Sequence, residues 1–342
     1  MSDVGELTAE TAGAYLRDRG VVPAQARVET RSLGGGVSNR VVEVRWDGEC
    51  LVAKQPLANL AVGADWPADV DRVHNEAAAA RAYANAVASA DLDARVPAVG
   101  YENRSDHVVA FECAPAGATT WKRELLDGTV DRTVAVTLGR VLGAVQRAAA
   151  GDDELRETFA SERPFEQLRL DPYHRTVAER HSDVAGAIAA EVDRVTGVKR
   201  TLVHGDYSPK NVLVDRADGA VPWVIDFEVA HWGDPAFDAA FMLNHLFIKS
   251  VYHHEARSEY VDAAFAFWEA YDERVPWDVE RATVAELGVL MLARVDGKSP
   301  VEYVDEGAVA DALRATAKRA LRDEVETLGG FAAAAREAGE TL

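Results

Sequence analysis

Three oxygen-bearing side chains in one short stretch, Asp206, Asn211 and Asp226, could do chemistry together; they lie in residues 204–228, HGDYSPKNVLVDRADGAVPWVIDFE. Asp218-Gly219 is a strong two-residue turn signal between two apolar runs. With that pair as the turn, counting outward sets Ala217 against Ala220, Val214 against Trp223 and Asn211 against Asp226. Opposed residues on an antiparallel pair carry their Cβ atoms roughly 5 Å apart on one face. An amide oxygen and a carboxylate oxygen would then share one cation, and Mg²⁺ is the ion that takes a few protein oxygens and fills its shell with phosphate and water. Pro222 weakens this register, because it cannot donate to a ladder. Asp206 lies five residues before Asn211 on the loop entering the hairpin. A carboxylate there can accept the proton of an attacking hydroxyl. A lone Asp in a loop is as readily a turn or cap residue. It is the whole pattern, H-x-D-x-x-x-x-N and then I-D-F across a hairpin, that favours chemistry. His204 is expected to brace the loop backbone, not to react.

The elements that must hold these residues follow from patterning. Residues 7–19 read as a short helix and residues 28–55 as strands, with Asp47-Gly48 as a hairpin turn between EVRW and ECLVAK. The Ala-rich run 72–90 is helical, and HVVAFEC, 107–113, is another strand. From about 116 onward the chain is mostly helical. This gives an α+β chain of two lobes: residues 1–115, β-rich with one key helix, and residues 116–342, larger and helical. The boundary falls at Ala114-Pro115-Ala116-Gly117.

The spacing His204-Gly205-Asp206-x4-Asn211 and the triplet Asp226-Phe227-Glu228 resemble the catalytic loop and metal motif of kinases. The closer resemblance is to the aminoglycoside phosphotransferase and choline kinase-like family of small-molecule kinases, which reads H-G-D-x-x-x-x-N, then I-D-[WF]-E, then G-D-P-x-x-D. Here Gly233-Asp234-Pro235-Ala236-Phe237-Asp238 fills the last place, and the resemblance extends over about residues 31–304. It implies a protein-kinase-like fold, with ATP and Mg²⁺ between the lobes and a small-molecule hydroxyl as acceptor. Aminoglycosides, amino alcohols and sugars are all met on this scaffold. Two departures from protein kinases support a small acceptor. Ser208 stands where those enzymes usually carry a lysine, and is assigned to nucleotide contact. Asp234-Pro235, a sound helix start, follows Asp226 by only eight residues, which leaves no room for a peptide-docking segment. An atypical protein kinase and a non-catalytic nucleotide-binding homologue are the alternatives.

In the first lobe, Leu33-Gly34-Gly35-Gly36-Val37-Ser38-Asn39 joins two strands. Glycines let backbone N–H groups approach phosphates. By itself this is equally a plain hairpin turn; the resemblance implies phosphate contact by Gly34, Gly36 and Ser38. Val52-Ala53-Lys54 resembles the strand lysine that contacts ATP phosphates, and Glu76 is the only acid in 72–90 that could hold it. The resemblance also implies adenine contact by main-chain groups of Glu112 and Ala114, and in some members an R-x-D-G-K-S-P stretch that would bring Arg294 and Asp296 to the acceptor.

The chain has 342 residues and a net charge of −20, with only seven lysines among its 37 basic residues. Such a balance disfavours nucleic-acid binding, which needs a basic patch, and adhesion to anionic membranes. No run is apolar enough to span a membrane, and nothing fixes the oligomeric state. Scattered acids read as a solvated surface suited to a salt-rich cytoplasm, where ions screen self-repulsion. Cys50 and Cys113 are far apart and form no framework, which suits two free thiols in a reducing cytoplasm. Gly297-Lys298-Ser299 imitates a P-loop ending, but position 292 is Leu where that motif needs Gly. Ser299-Pro300-Val301-Glu302 reads instead as a helix start.

Overall fold

A computed structural model describes residues 5–34, 38–60 and 66–341. Five strands, β1 (Val28–Ser32), β2 (Asn39–Trp46), β3 (Glu49–Pro56), β4 (Val99–Asn103) and β5 (Val108–Glu112), form one antiparallel sheet in the order β1-β2-β3-β5-β4. Asp47-Gly48 makes the expected two-residue turn. Trp46 faces Glu49, and both turn residues have positive φ, 45° and 91°.

Period-two alternation gives the sheet two apolar faces. Val42, Val44, Ala53, Val108 and Ala110 pack with Leu16 of helix α1 (Ala12–Asp18) in a small core. Val109 and Phe111 face the other way, into the main core with Val73, Ala77, Ala80 and Tyr83 of helix α2 (Arg72–Ser89). Lys54 opposes Val109, so it lies on the α2 side. The helix expected over 7–19 begins only at Ala12, because Leu7 N–H is spent on Gln55 Oε1 at 2.8 Å and the Thr11 hydroxyl donates to the Glu6 carbonyl.

The cysteine expectation is overturned. Cys50 and Cys113 are joined in a disulfide with Cα atoms 5.6 Å apart. The cause is register: Leu51 opposes Glu112, so the next pair outward brings the two cysteines face to face. With both cysteines oxidised, neither thiol points to a reducing compartment.

Beyond Ala114 come β6 (Thr119–Thr120), α3 (Trp121–Leu126) and α4 (Arg132–Ala149), then a predominantly helical region. Two small sheets interrupt it: β7 (Thr201–Val203) with β10 (His231–Gly233), and β6 with β8 (Val212–Asp215) and β9 (Val221–Val224). The helix Pro235–Tyr252 starts as its sequence predicts. Asp234 caps it by accepting from Ala236 N–H at 3.1 Å, with Pro235 in the first turn, and Phe237, Phe241 and Ile248 are buried. No helix starts at Ser299; the next is Ala308–Leu321. The Ser299 carbonyl and hydroxyl both accept from Arg294 Nη1, at 2.5 and 3.1 Å, so the would-be cap is already engaged. Among the described residues, no helix is long and apolar enough to cross a membrane.

Candidate active site

The β8–β9 connection is not the two-residue turn read from Asp218-Gly219. The Asp215 carboxylate accepts from Ala217 N–H at 3.0 Å and starts a 3₁₀ turn, Arg216–Asp218; Gly219 and Ala220 follow with φ of 69° and 64°. Five residues therefore separate the strands, and the register moves by one: Val214 faces Pro222, Leu213 faces Trp223. Asn211 consequently lies opposite Ile225, whose N–H donates to the Asn211 carbonyl at 3.0 Å, and not opposite Asp226. A one-residue slip would put the Asp226 side chain on the wrong face. Its φ of +70° takes it out of strand geometry instead, and its side chain meets Lys54.

Lys54 Nζ lies 2.5 Å from Glu76 Oε1 and 2.9 Å from Asp226 Oδ1. Burial opposes charge on Lys54, but Asp226 and Glu76 outweigh it and raise its pKa. Burial lifts Glu76 to about 7 in spite of Lys54. For Asp226, burial is outweighed by Lys54 and Lys210, so its pKa is lowered and it is the carboxylate held ionised. Lys54, Glu76 and Asp226 line a cleft of about 160 Å³ with Val41, Val52, Leu213, Glu112 and Ala114. Glu112 N–H is taken by the Ala98 carbonyl at 2.8 Å. Gly34 is exposed next to Leu33, which also lines the cleft. Gly36 lies outside the described residues. The Ser38 hydroxyl accepts from Asn39 Nδ2 at 3.2 Å and its carbonyl from Arg72 Nη2.

Asp206 is buried, near enough to Asp226 for the two charges to interact. Its Oδ2 lies 2.9 Å from Arg169 Nη2 and 2.7 Å from Lys210 Nζ, while its Oδ1 is buried without a partner among the described residues. Burial pushes the Asp206 pKa up; Arg169 and Lys210 more than offset this and hold it below the ordinary carboxylate value. Asn211 Nδ2 donates to the Asp206 carbonyl at 3.0 Å. Ser208 Oγ is buried and has no partner among the described residues.

The loop backbone is fixed from below. Asp238 accepts N–H groups from His204 and Gly205 at 2.7 and 2.9 Å, and His204 Nδ1 accepts from Asp206 N–H at 3.2 Å. Burial lowers the His204 pKa to about 4, so the ring is neutral and braces the loop, as its sequence position suggested. Gly205 has φ +76°, and a Cβ there would meet the Val229 carbonyl oxygen at 2.6 Å; only glycine fits.

Sequence reasoning missed Arg169, Glu228 and Glu228's partner Arg72. Arg169 sits in the π-helical segment Glu166–Arg175, and besides Asp206 it donates to the Gly205 carbonyl at 2.6 Å. Nothing in its sequence surroundings signals this. Glu228 accepts from Arg72 Nε at 3.1 Å and Asn39 Nδ2 at 2.9 Å, joining the segment after Asp226 to α2 and β2. Its place in the Asp226-Phe227-Glu228 triplet and the early position of Arg72 in α2 were the available signals. Arg294 and Asp296, weighed as acceptor contacts, are engaged elsewhere: Arg294 with Tyr173 and Ser299, Asp296 with His181 and Arg314.

Residues 29–277 match the model of the phosphotransferase enzyme family. The chain belongs to that family. Among solved structures, this phosphotransferase is similar to the amicoumacin kinase hAmiN, in complex with AMP-PNP, Ca²⁺ and Ami, at 14% identity and a TM-score of 0.52, covering 92% of this chain and 94% of that one. It is similar also to APH(2")-IIia in a GDP and kanamycin complex, at 14% identity and a TM-score of 0.50, covering 98% of each chain. These likenesses show a shared fold, the kinase-like α+β fold. Comparison of the sequence with curated proteins finds no match.

Proposed function

We propose that the protein moves the γ-phosphoryl group of ATP to a hydroxyl of a small molecule. The observation that carries this reading is Asp206. One of its oxygens is pinned by Arg169 and Lys210, and the other is buried with no partner among the described residues. A buried carboxylate oxygen without a donor costs stability unless something supplies one, and an acceptor hydroxyl does so. Asp206 would orient that hydroxyl and take its proton, its low pKa keeping it ionised. Lys54, held by Glu76, would contact the nucleotide phosphates. The apolar cleft between Val41, Val52 and Leu213 suits a planar base, with the Glu112 carbonyl and Ala114 N–H as its polar contacts. Gly34, Ser38 and Ser208 would complete the phosphate side.

The donor set fits Mg²⁺. The amide oxygen of Asn211 and the carboxylate of Asp226 are hard oxygen donors close to Asp206, and they are the residues that would hold the ion. Bound there, Mg²⁺ would offset charge on the phosphates. The protein's own part is positioning and exclusion of water. The absence of a peptide-docking segment between Asp226 and Asp234 supports a small acceptor.

The test is an ADP-release screen across hydroxylated metabolites, aminoglycosides, amino alcohols and sugars included, with Asp206→Asn as the blank. The wild type is expected to release ADP with at least one acceptor, about 10²–10⁴ times faster than the variant. Equal release by both proteins would sink the assigned base.

A further inference from the structure

We propose that Asp71, His74 and His107 form a zinc site that fastens the first turn of α2 to the turn between β4 and β5. The inference does not rest on the reaction proposed above. One ligand atom from each residue lies within 4.8 Å of the other two. His107 Nδ1 is 3.3 Å from Asp71 Oδ1. Two ligands each about 2.0–2.1 Å from a tetrahedral Zn²⁺ stand about that far apart.

His74 supplies the second, independent observation. It is 5% exposed, and its Nδ1 lies 3.0 Å from Glu102 Oε1. Glu102 is also bound by Arg81 at 2.9 Å and Arg104 at 3.4 Å, and these two cations with the His74 bond outweigh its burial and lower its pKa. A carboxylate acceptor fixes the proton on Nδ1, so Nε2 carries the lone pair. That Nε2 is buried and has no hydrogen-bond partner among the described residues. A carboxylate behind an imidazole is the arrangement that orients zinc-binding histidines and raises their basicity. An unpartnered buried acceptor is a cost in the metal-free protein, and a cation at Nε2 removes it.

His107 enters from the β4–β5 turn with φ +49°, a left-handed conformation that histidine adopts more readily than most residues. Asp71 is largely exposed, so water can complete the coordination shell, and a cavity of about 280 Å³ lined by Asp71, His74 and Arg104 gives it access. Two imidazoles and one carboxylate suit Zn²⁺. The all-oxygen pair Asn211 and Asp226 suits Mg²⁺, so the two sites separate by chemistry.

The position gives the site a consequence. Arg72 bonds Glu228, Asn75 Nδ2 donates to the Ala230 carbonyl, and Glu76 holds Lys54, all within six residues of Asp71. Zinc would hold the start of α2 in the place from which these contacts are made.

The test uses the full-length, disulfide-intact protein stripped with a chelator and kept in excess Mg²⁺. Zn²⁺ is titrated against a chromophoric chelator, and Co²⁺ binding is followed by its visible absorption. One equivalent of Zn²⁺ per chain is expected. His107→Asn, which tolerates the left-handed turn, should weaken it by about tenfold or more, and Glu102→Gln by about 10–100-fold. Asp226→Ala should leave stoichiometry and affinity unchanged. Absence of stoichiometric Zn²⁺ binding at neutral pH, wild-type affinity in His107→Asn, or loss of binding in Asp226→Ala would each overturn the site.

Discussion

Reducing the Cys50–Cys113 bridge should destabilise the protein by an amount fixed by the loop it closes. The two cysteines are 63 residues apart. Cross-linking a loop of that length removes chain entropy from the unfolded state worth about 4 kcal/mol at 25 °C. Unfolding entropy is about 2.1 cal/mol/K per residue, or about 0.7 kcal/mol/K for this chain. The ratio predicts a melting temperature lower by about 6 °C in the reduced protein or in Cys50→Ser. The bridge also ties the end of β5 to β3 between Glu112 and Ala114, at the rim of the cleft. Its loss should therefore raise the nucleotide KM more than it lowers kcat. The measurements are differential scanning calorimetry with and without reductant, a thiol count in denaturant, and ATP-dependent kinetics. Two titratable thiols before reduction, or a melting temperature unmoved within about 1 °C, would refute the reasoning.

Arg169→Ala leaves the buried Asp206 with Lys210 alone. The Asp206 pKa should rise, moving the acid limb of kcat/KM to higher pH, while Arg169→Lys restores part of the profile; an unmoved limb in Arg169→Ala would refute the pairing. Lys249 is fully buried against the His245 carbonyl and Tyr303 hydroxyl, and burial, then Lys122 and Arg294, lower its pKa to about 7. The unfolded chain holds the extra proton between about pH 7 and 10.4, so wild-type stability rises with pH across that window. The urea stability of Lys249→Met minus that of the wild type should fall there by up to about 1.4 kcal/mol per pH unit; a constant difference would count against the lowered pKa of Lys249. Finally, at a net charge of −20, added KCl should raise the melting temperature by screening. A flat or falling trend would argue against adaptation to salt.

What the sequence made legible was local. The Asp47-Gly48 turn, the Asp234-Pro235 helix start and α2 all follow from neighbouring residues, and the structure has them in place. The Lys54–Glu76 pair was reachable because α2 offers a single acid. What failed depended on geometry that neighbours do not encode. Turn chemistry at Asp215 lengthened the β8–β9 loop and moved the register by one. The disulfide required knowing that β3 lies beside β5, although both strands were legible singly. Arg169 stands 37 positions before Asp206, in a π-helical segment with no recognisable pattern.

The missed residues share a physical role, and it explains why motif reading passes over them. A motif marks groups that touch the reactants; the groups that hold those in place act through the backbone and can come from anywhere. Glu228 shows the difference. It is two residues from Asp226, yet its contacts are with Arg72 and Asn39, and Arg72 in turn binds the Ser38 and Leu57 carbonyls. One buried ion pair thus joins the segment after Asp226, the start of α2 and both ends of the β2–β3 hairpin. Removing one partner of a buried pair costs about 3–5 kcal/mol because the other charge is stranded. Arg72 is fully buried and Glu228 nearly so. The parts of the site can therefore separate only by breaking this contact, so α2 and the segment after Asp226 should move as one body.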